Sequence, residues 1–268
     1  MRSPESFPAA VEAHGLGRVF RQRERNAGVS AALKSFFKPV WTDKIAVKKI
    51  DLTIDQGSVV GLVGANGAGK TTFLKMMSGL LHPTAGTIRV LGHTPHLREP
   101  AFLRRVGMVM GQKSQMWVDI PAYDTFLLLA AIYSLDTAKA KARIDELGRL
   151  FGVTKQLGVQ VRRLSLGERM KLEVMAALLH EPDLLILDEP TIGLDVLAKE
   201  TLRNFIRNYN KTQKTTIILS SHDMEDISEL CDSLLVIHKG ELVFQGTISD
   251  FTRDQGLKAR VQEILGAD

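Results

Sequence analysis

Eight residues, Gly64-Ala65-Asn66-Gly67-Ala68-Gly69-Lys70-Thr71, constrain this chain more than any other stretch. They fit the spacing G-x-x-x-x-G-K-[ST] and stand between a β-branched run ending in glycine, SVVGLVG (58–64), and the amphipathic run TTFLKMMSGL. That context, a strand before and a helix after, is what a phosphate-binding loop requires. Gly64, Gly67 and Gly69 let the backbone curl so that successive N–H groups point at phosphate oxygens. The helix that follows adds the positive end of its dipole. Lys70 is placed to reach the β- and γ-phosphates and Thr71 to set its hydroxyl on a divalent cation, with Ala65, Asn66, Ala68 and Thr72 completing the cradle.

A phosphate loop of this kind needs a carboxylate on its metal side. Strand-like and helical segments alternate along the chain, which predicts an α/β fold. DLLILDE (183–189) is continuous aliphatic, as expected of a central parallel strand covered on both faces. Other strands are expected at 58–64, 87–92, 105–110 and 215–222, with a hairpin over 233–246 turning at Lys239-Gly240. Strands of one parallel sheet end at a common edge, so Asp188 and Glu189 should lie near the phosphates. Adjacent strand residues point opposite ways, which gives the two carboxylates different tasks. Asp188 is the candidate for the metal shell and Glu189 for polarising an attacking water.

Composition narrows the class. With 268 residues, 44% of them hydrophobic, the chain can bury a substantial core in one or two closely packed domains. The single cysteine, Cys231, leaves no internal disulfide and reads as a small buried residue at a helix–strand junction. Residues 1–10 contain no apolar core of the kind a secretory signal has, and no apolar run is long enough to span a membrane; FLLLAAIY (126–133) is too short. Residues 1–50 hold ten Lys/Arg against four Asp/Glu, a net +6 within a total of +5. Such a basic region is a solvated face or a surface for an anionic partner.

RRLSLGERMKLE (162–173) reads as a helix start, with Ser165 and Glu168 at capping-box spacing. Its LSLGE, Leu164 to Glu168, also resembles the signature sequence of ATP-binding cassette (ABC) proteins, and it falls between the phosphate loop and LLILDEP as in that family. Three further landmarks follow the family's order: VMGQ with Gln112 as the Q-loop glutamine, TIGLD (Thr191 to Asp195) as the D-loop, and SSHD with His222 as the switch histidine. VMGQKSQ has one extra residue relative to the usual spacing, which leaves Gln115 as the alternative to Gln112. The phrase VGMVMGQKSQMWVDIPAYDTF is similar to the subgroup that serves efflux-type permeases. The resemblance runs from about residue 41 to 246.

The resemblance implies a P-loop NTPase cassette: a mixed core sheet, an antiparallel β subdomain and an inserted helical subdomain. By this reading residues 1–112 and 176–246 form the catalytic core, 113–175 the helical subdomain, 21–40 a basic and aromatic insertion, and 247–268 a helical tail. It implies ATP and Mg²⁺ as ligands, with Thr71, Gln112 and Asp188 at the metal and Lys70, Glu189 and His222 in hydrolysis. It further implies a head-to-tail dimer with a second copy or a paralogous ATPase. There Ser165, Gly167 and Asp195 meet nucleotide across the interface, while Glu168 holds its helix end. An aromatic some two dozen residues before the loop stacks on adenine in the family; Trp41 fits this distance and Phe20 is the alternative. Integral membrane permeases are the implied partners, at the cytoplasmic face of a membrane, and no nucleic acid is expected. Met116, Trp117, Ile120 and Tyr123 are candidates for a permease-facing cleft or for core packing. The insertion, with Lys34, Phe36, Phe37 and Lys38, is a candidate membrane or permease contact. The other class within the family, ATPases acting on DNA or the ribosome, would carry a long heptad insertion or a second cassette, and neither is visible.

Overall fold

The computed structural model describes residues 9–23, 41–111, 114–252 and 255–266. Six strands form the central sheet, in the order β5 (Val106–Met110), β6 (Leu184–Asp188), β7 (Thr216–Ser220), β3 (Val59–Val63), β8 (Ser233–His238) and β9 (Glu241–Thr247). All pair in parallel except the last, which returns from β8 through a hairpin. Lys239 and Gly240 both take positive φ at its turn, as a tight two-residue connection demands. A second, antiparallel sheet has the order β2 (Trp41–Asp55), β1 (Ala9–Arg23), β4 (Ala85–Val90).

The aliphatic runs of the central strands serve two cores at once, because side chains alternate across a sheet. Val60, Leu62, Leu184, Ile186 and Ile218 join one core with residues of the antiparallel sheet and with Phe73, Leu74, Met76 and Met77 of α1 (Lys70–Met77). Val59, Val63, Leu185, Leu187, Ile217 and Leu219 join the other. That second core takes the inward faces of α3 (Ala122–Ile132), α4 (Thr137–Leu150), α5 (Leu166–Leu178) and α6 (Val196–Gln213). A short α2 (Pro100–Leu103) leads into β5, α7 (Met224–Leu230) joins β7 to β8, and α8 (Ile248–Phe251) and α9 (Leu257–Gly266) follow β9.

The α/β expectation and the helical character of 119–179 match this architecture. The boundary expected near residue 175 falls inside α5, which is unbroken to Leu178. Strand β4 starts at Ala85, two residues before the expected Thr87, because Ala85 still pairs with Gly17 of β1 across an irregularity in the register at Gly86, whose φ is +69°. Cys231 is buried at the end of α7 and burial pushes its thiol pKa well up, so it packs as a small apolar group. The insertion's Lys34, Phe36, Phe37 and Lys38 lie outside the described residues. Among the described residues, no helix is long and apolar enough to cross a membrane.

Candidate nucleotide site

The carboxyl ends of β3, β5, β6 and β7 share one edge of the central sheet. The register places Leu62 beside Ser220, Ser220 beside Asp188, and Asp188 beside Met110. The predicted phosphate loop leaves β3 at this edge and runs into α1. Ala68 and Gly240 are joined by a backbone hydrogen bond of 2.9 Å, and Gly240 in turn accepts from Lys48 N–H at 2.7 Å, so the loop is held between β2 and the β8–β9 turn. Two glycines are forced by close backbone approach. A Cβ on Gly64 would lie 2.2 Å from the Ile237 carbonyl oxygen, and one on Gly69 2.3 Å from that of Ala46.

Ala65, Asn66 and Gly67 are exposed at the lip of the loop, whereas Ala68, Gly69 and Lys70 are buried. The Lys70 ammonium is folded back over the loop, donating to the carbonyls of Gly64 at 2.6 Å and Ala65 at 3.2 Å. Burial lowers its pKa, opposed by the carboxylates of Glu189 and Asp188. Across the edge, Thr71 Oγ1 donates to Asp188 Oδ2 at 2.9 Å. A hydroxyl and a carboxylate side by side at a phosphate loop fit a hard divalent cation that keeps several waters and phosphate oxygens.

Asp188 and Glu189 have different surroundings. Asp188 is buried and its second oxygen accepts from Ser220 Oγ at 2.6 Å. Glu189 turns out of the strand with a φ of +56°, a conformation bulky L residues rarely adopt. Its N–H donates to Ser220 Oγ at 3.0 Å and to the Ser220 carbonyl at 3.1 Å, and these bonds hold the turn. The turned carboxylate meets His222 Nε2 at 2.6 Å. Ser220 was not singled out from sequence; the doubled serine before His222 is the trace it leaves there.

Gln112 lies outside the described residues. Gly111, just before it, donates its N–H to the Asp188 carbonyl at 2.9 Å, so the described chain reaches as far as Asp188 on this edge. The alternative, Gln115, spends its amide on the Met108 carbonyl at 2.7 Å. Its own N–H and the Ser114 hydroxyl both donate to Glu173, a buried carboxylate on α5 that sequence reasoning also missed.

Ser165 caps α5 through the full reciprocal box. Glu168 N–H donates to Ser165 Oγ at 3.2 Å and Ser165 N–H to Glu168 Oε2 at 2.9 Å. The Ser165 N–H, then the Gln156 amide at 2.8 Å, hold the Glu168 carboxyl below its usual pKa. With Glu168 folded back, the N–H groups of Leu166 and Gly167 remain without intrahelical acceptors at an exposed helix start. Asp195 caps α6, accepting from Ala198 N–H at 2.7 Å. Gly167 approaches Ala198, and Leu166 approaches Gly193 so closely that a Cβ there would meet its Cδ2 at 2.8 Å. Around this junction Leu166, Ile192, Val196 and Leu197 expose apolar surface, Val196 at 83% and Leu197 at 74%.

Trp41 opens β2 at the far end of the β1–β2 ribbon, half exposed, with the Arg21 guanidinium 5.4 Å from its ring centroid. It stands five residues from Ala46, the strand residue that touches Gly69, or ~17 Å at strand rise. Phe20 pairs with Lys44, two residues from Ala46 and so ~7 Å along the ribbon. Met116 proves to be core, whereas Trp117 is exposed beside it.

The phosphate-loop motif, the Ser165-capped helix, the carboxylates at the end of β6 and His222 follow one another along this fold in that order. Residues 47–192 match the profile of the ABC transporter family, and the chain belongs to that family as an ATP-binding subunit. Among curated relatives, the chain is 39% identical over 204 residues to the ABC transporter ATP-binding protein NatA of Bacillus subtilis, covering 76% of this chain and 82% of that one. It is 35% identical to the bacitracin transport ATP-binding protein BcrA of Bacillus licheniformis, over 74% of this chain and 63% of that one. It is 34% identical to a Nod factor export ATP-binding protein I of Cupriavidus metallidurans, over 85% and 75%. A solved ATP-binding subunit of an ABC transporter superposes with a TM-score of 0.78 at 25% identity, covering 95% of this chain and 99% of that one. A dimeric cassette bound to ADP and Pi shares the fold at a TM-score of 0.74 and 19% identity, over 89% and 98%.

Proposed function

We propose that the chain is the ATP-hydrolysing subunit of an export-type transporter, working as a head-to-tail dimer at the cytoplasmic face of a membrane, beneath separate permease subunits. The observation that carries the hydrolytic part is the Glu189–His222 contact at 2.6 Å, on the same sheet edge as Lys70 and the Thr71–Asp188 pair. In this reading Lys70 leaves the loop carbonyls for the β- and γ-phosphates, and Thr71, Asp188 and Gln112 serve the shell of a Mg²⁺ that offsets phosphate charge. Glu189 accepts a hydrogen bond from a water whose oxygen attacks the γ-phosphorus as the bond to the β–γ bridging oxygen breaks. The His222 N–H holds the Glu189 carboxylate in line. ADP and phosphate are the products, and the proton of the attacking water leaves with phosphate.

Dimerisation is supported by the exposed Leu166, Ile192, Val196 and Leu197 around the free N–H groups of the signature helix. Such a patch is uncommon on a surface that meets only water. Ser165 and Gly167 then face the partner's γ-phosphate, an anion at a helix N-terminus, and Asp195 lies beside it. Of the two aromatics for the base, the ribbon register favours Phe20 over Trp41. Export is supported by the relatives named for bacitracin transport and Nod factor export. Glu189→Gln tests the hydrolytic reading: it should bind ATP with near wild-type affinity and lose at least about 10²-fold in turnover. Full turnover in that variant contradicts it. Detergent purification of the native complex tests the rest, since an integral membrane protein should accompany the chain.

A further inference from the structure

Between the loops that carry Glu189 and His222 lies a buried carboxylate that the phosphate chemistry does not use. Asp226, on α7, is fully buried. Its Oδ2 accepts from Thr191 Oγ1 at 2.6 Å and from Ser221 Oγ at 2.8 Å. Its Oδ1 accepts from Arg203 of α6, with both Nε and Nη2 at 2.6 Å. Thr191 is two residues past Glu189, and Ser221 immediately precedes His222. Ser221 Oγ also accepts from Asp223 N–H at 3.0 Å, and Asp223 pairs with Lys199 at 2.8 Å, so the second loop is tied to α6 as well.

A buried carboxylate is costly unless donors surround it, and here Thr191, Ser221 and Arg203 all donate to Asp226. Both hydroxyl donors come from the loops flanking the Glu189–His222 contact, one from each side. Glu189 needs such support, because a left-handed backbone at a non-glycine residue persists only where its surroundings over-determine it. Ser220 holds the Glu189 N–H from within the sheet. The Thr191–Asp226 bond fixes the chain on the other side of Glu189, and the Ser221–Asp226 bond fixes the chain next to His222.

We propose that Asp226 is a positioning residue for hydrolysis: by holding Thr191 and Ser221 at a set separation, it keeps Glu189 against His222. This rests on the hydrolytic reading above and extends it to a group that touches neither nucleotide nor water. A shift of about 1 Å in a catalytic group can lower turnover by about 10²-fold while leaving distant binding contacts intact. The perturbation therefore falls on kcat rather than on KM for ATP.

Thr191→Val removes one hydroxyl at nearly constant shape, Ser221→Ala removes the other, and Thr191→Ser restores the first. All three leave the Arg203–Asp226 pair in place, and steady-state ATP hydrolysis by the full chain is the assay. Thr191→Val and Ser221→Ala should each lower kcat about tenfold or more with KM for ATP changed less than about twofold, and Thr191→Ser should return kcat to near wild type. Wild-type kcat in Thr191→Val and Ser221→Ala, a parallel loss of ATP affinity, or a Thr191→Ser variant as slow as Thr191→Val would each overturn the proposal. The two readings fail separately. Wild-type kcat in Thr191→Val beside an inactive Glu189→Gln removes only the role of Asp226, whereas an active Glu189→Gln removes the hydrolytic assignment itself.

Discussion

Two glycines of the phosphate loop should respond differently to the same added methyl group. Gly69 has a φ of +112°, outside the wells an L residue occupies, and its Cβ would fall 2.3 Å from the Ala46 carbonyl oxygen. Ordinary carbon–oxygen contact is about 1 Å longer, so β2 or the loop must move by that amount. Gly69 also opens the helix that starts with Lys70, so the shift passes directly to the ammonium. Gly67, with a φ of +80°, has open space around its Cβ position. Alanine there carries left-handed strain of about 1 kcal/mol, partly offset by the stiffer unfolded chain. Gly69→Ala should weaken ATP binding about 10²-fold or abolish it, while Gly67→Ala should weaken it less than about tenfold. Calorimetric titration with ATP, on chains shown to be folded by circular dichroism, reads both. Equal losses in the two variants would refute the argument, because both share positive φ and only Gly69 meets a backbone oxygen.

Two further perturbations test other parts of the account. His180 is buried, stacks on Tyr133 at 4.0 Å and lies 3.2 Å from the Val106 carbonyl. Burial lowers its pKa from 6.5 to about 4, so it stays neutral in the folded chain where the unfolded chain would take a proton. Its contribution to stability is complete above pH 6.5 and is lost as pH falls toward 4, about 3 kcal/mol over that window. Urea unfolding at pH 7 and pH 4.5 should show a smaller pH difference for His180→Phe than for wild type, and an unchanged difference would count against the assignment. Glu168→Ala removes half of the capping box, should cost about 1 kcal/mol in the same denaturation assay, and should leave ATP binding to the phosphate loop intact; loss of that binding would contradict the division of labour between Ser165 and Glu168.

What could be read from sequence was what has a period or a fixed spacing. The aliphatic run of β6 gave a two-faced strand because every residue in it is buried on one side or the other. Asp188 and Glu189 followed from the strand end, and the capping box followed from a three-residue offset. Residues whose partners are distant in sequence left no such mark. Ser220 joins Asp188 across 32 positions, Thr191 joins Asp226 across 35, and Ser114 joins Glu173 across 59. A buried carboxylate such as Asp226 or Glu173 looks, in sequence, like any polar residue of a helix. The choice between Trp41 and Phe20 depends on how β1 and β2 pair, and counting residues back to the loop could not supply that register.

The central claim is that each nucleotide is enclosed by the phosphate loop of one copy and the signature helix of another. Mixing two inactive variants, Lys70→Ala and Ser165→Arg, measures this directly. Mixed dimers place an intact phosphate loop against an intact signature in one of their two sites. ATP hydrolysis should reappear on mixing and exceed that of either variant alone, rising as subunits exchange. A mixture that stays as inactive as its components, with exchange between copies confirmed, would contradict the shared site.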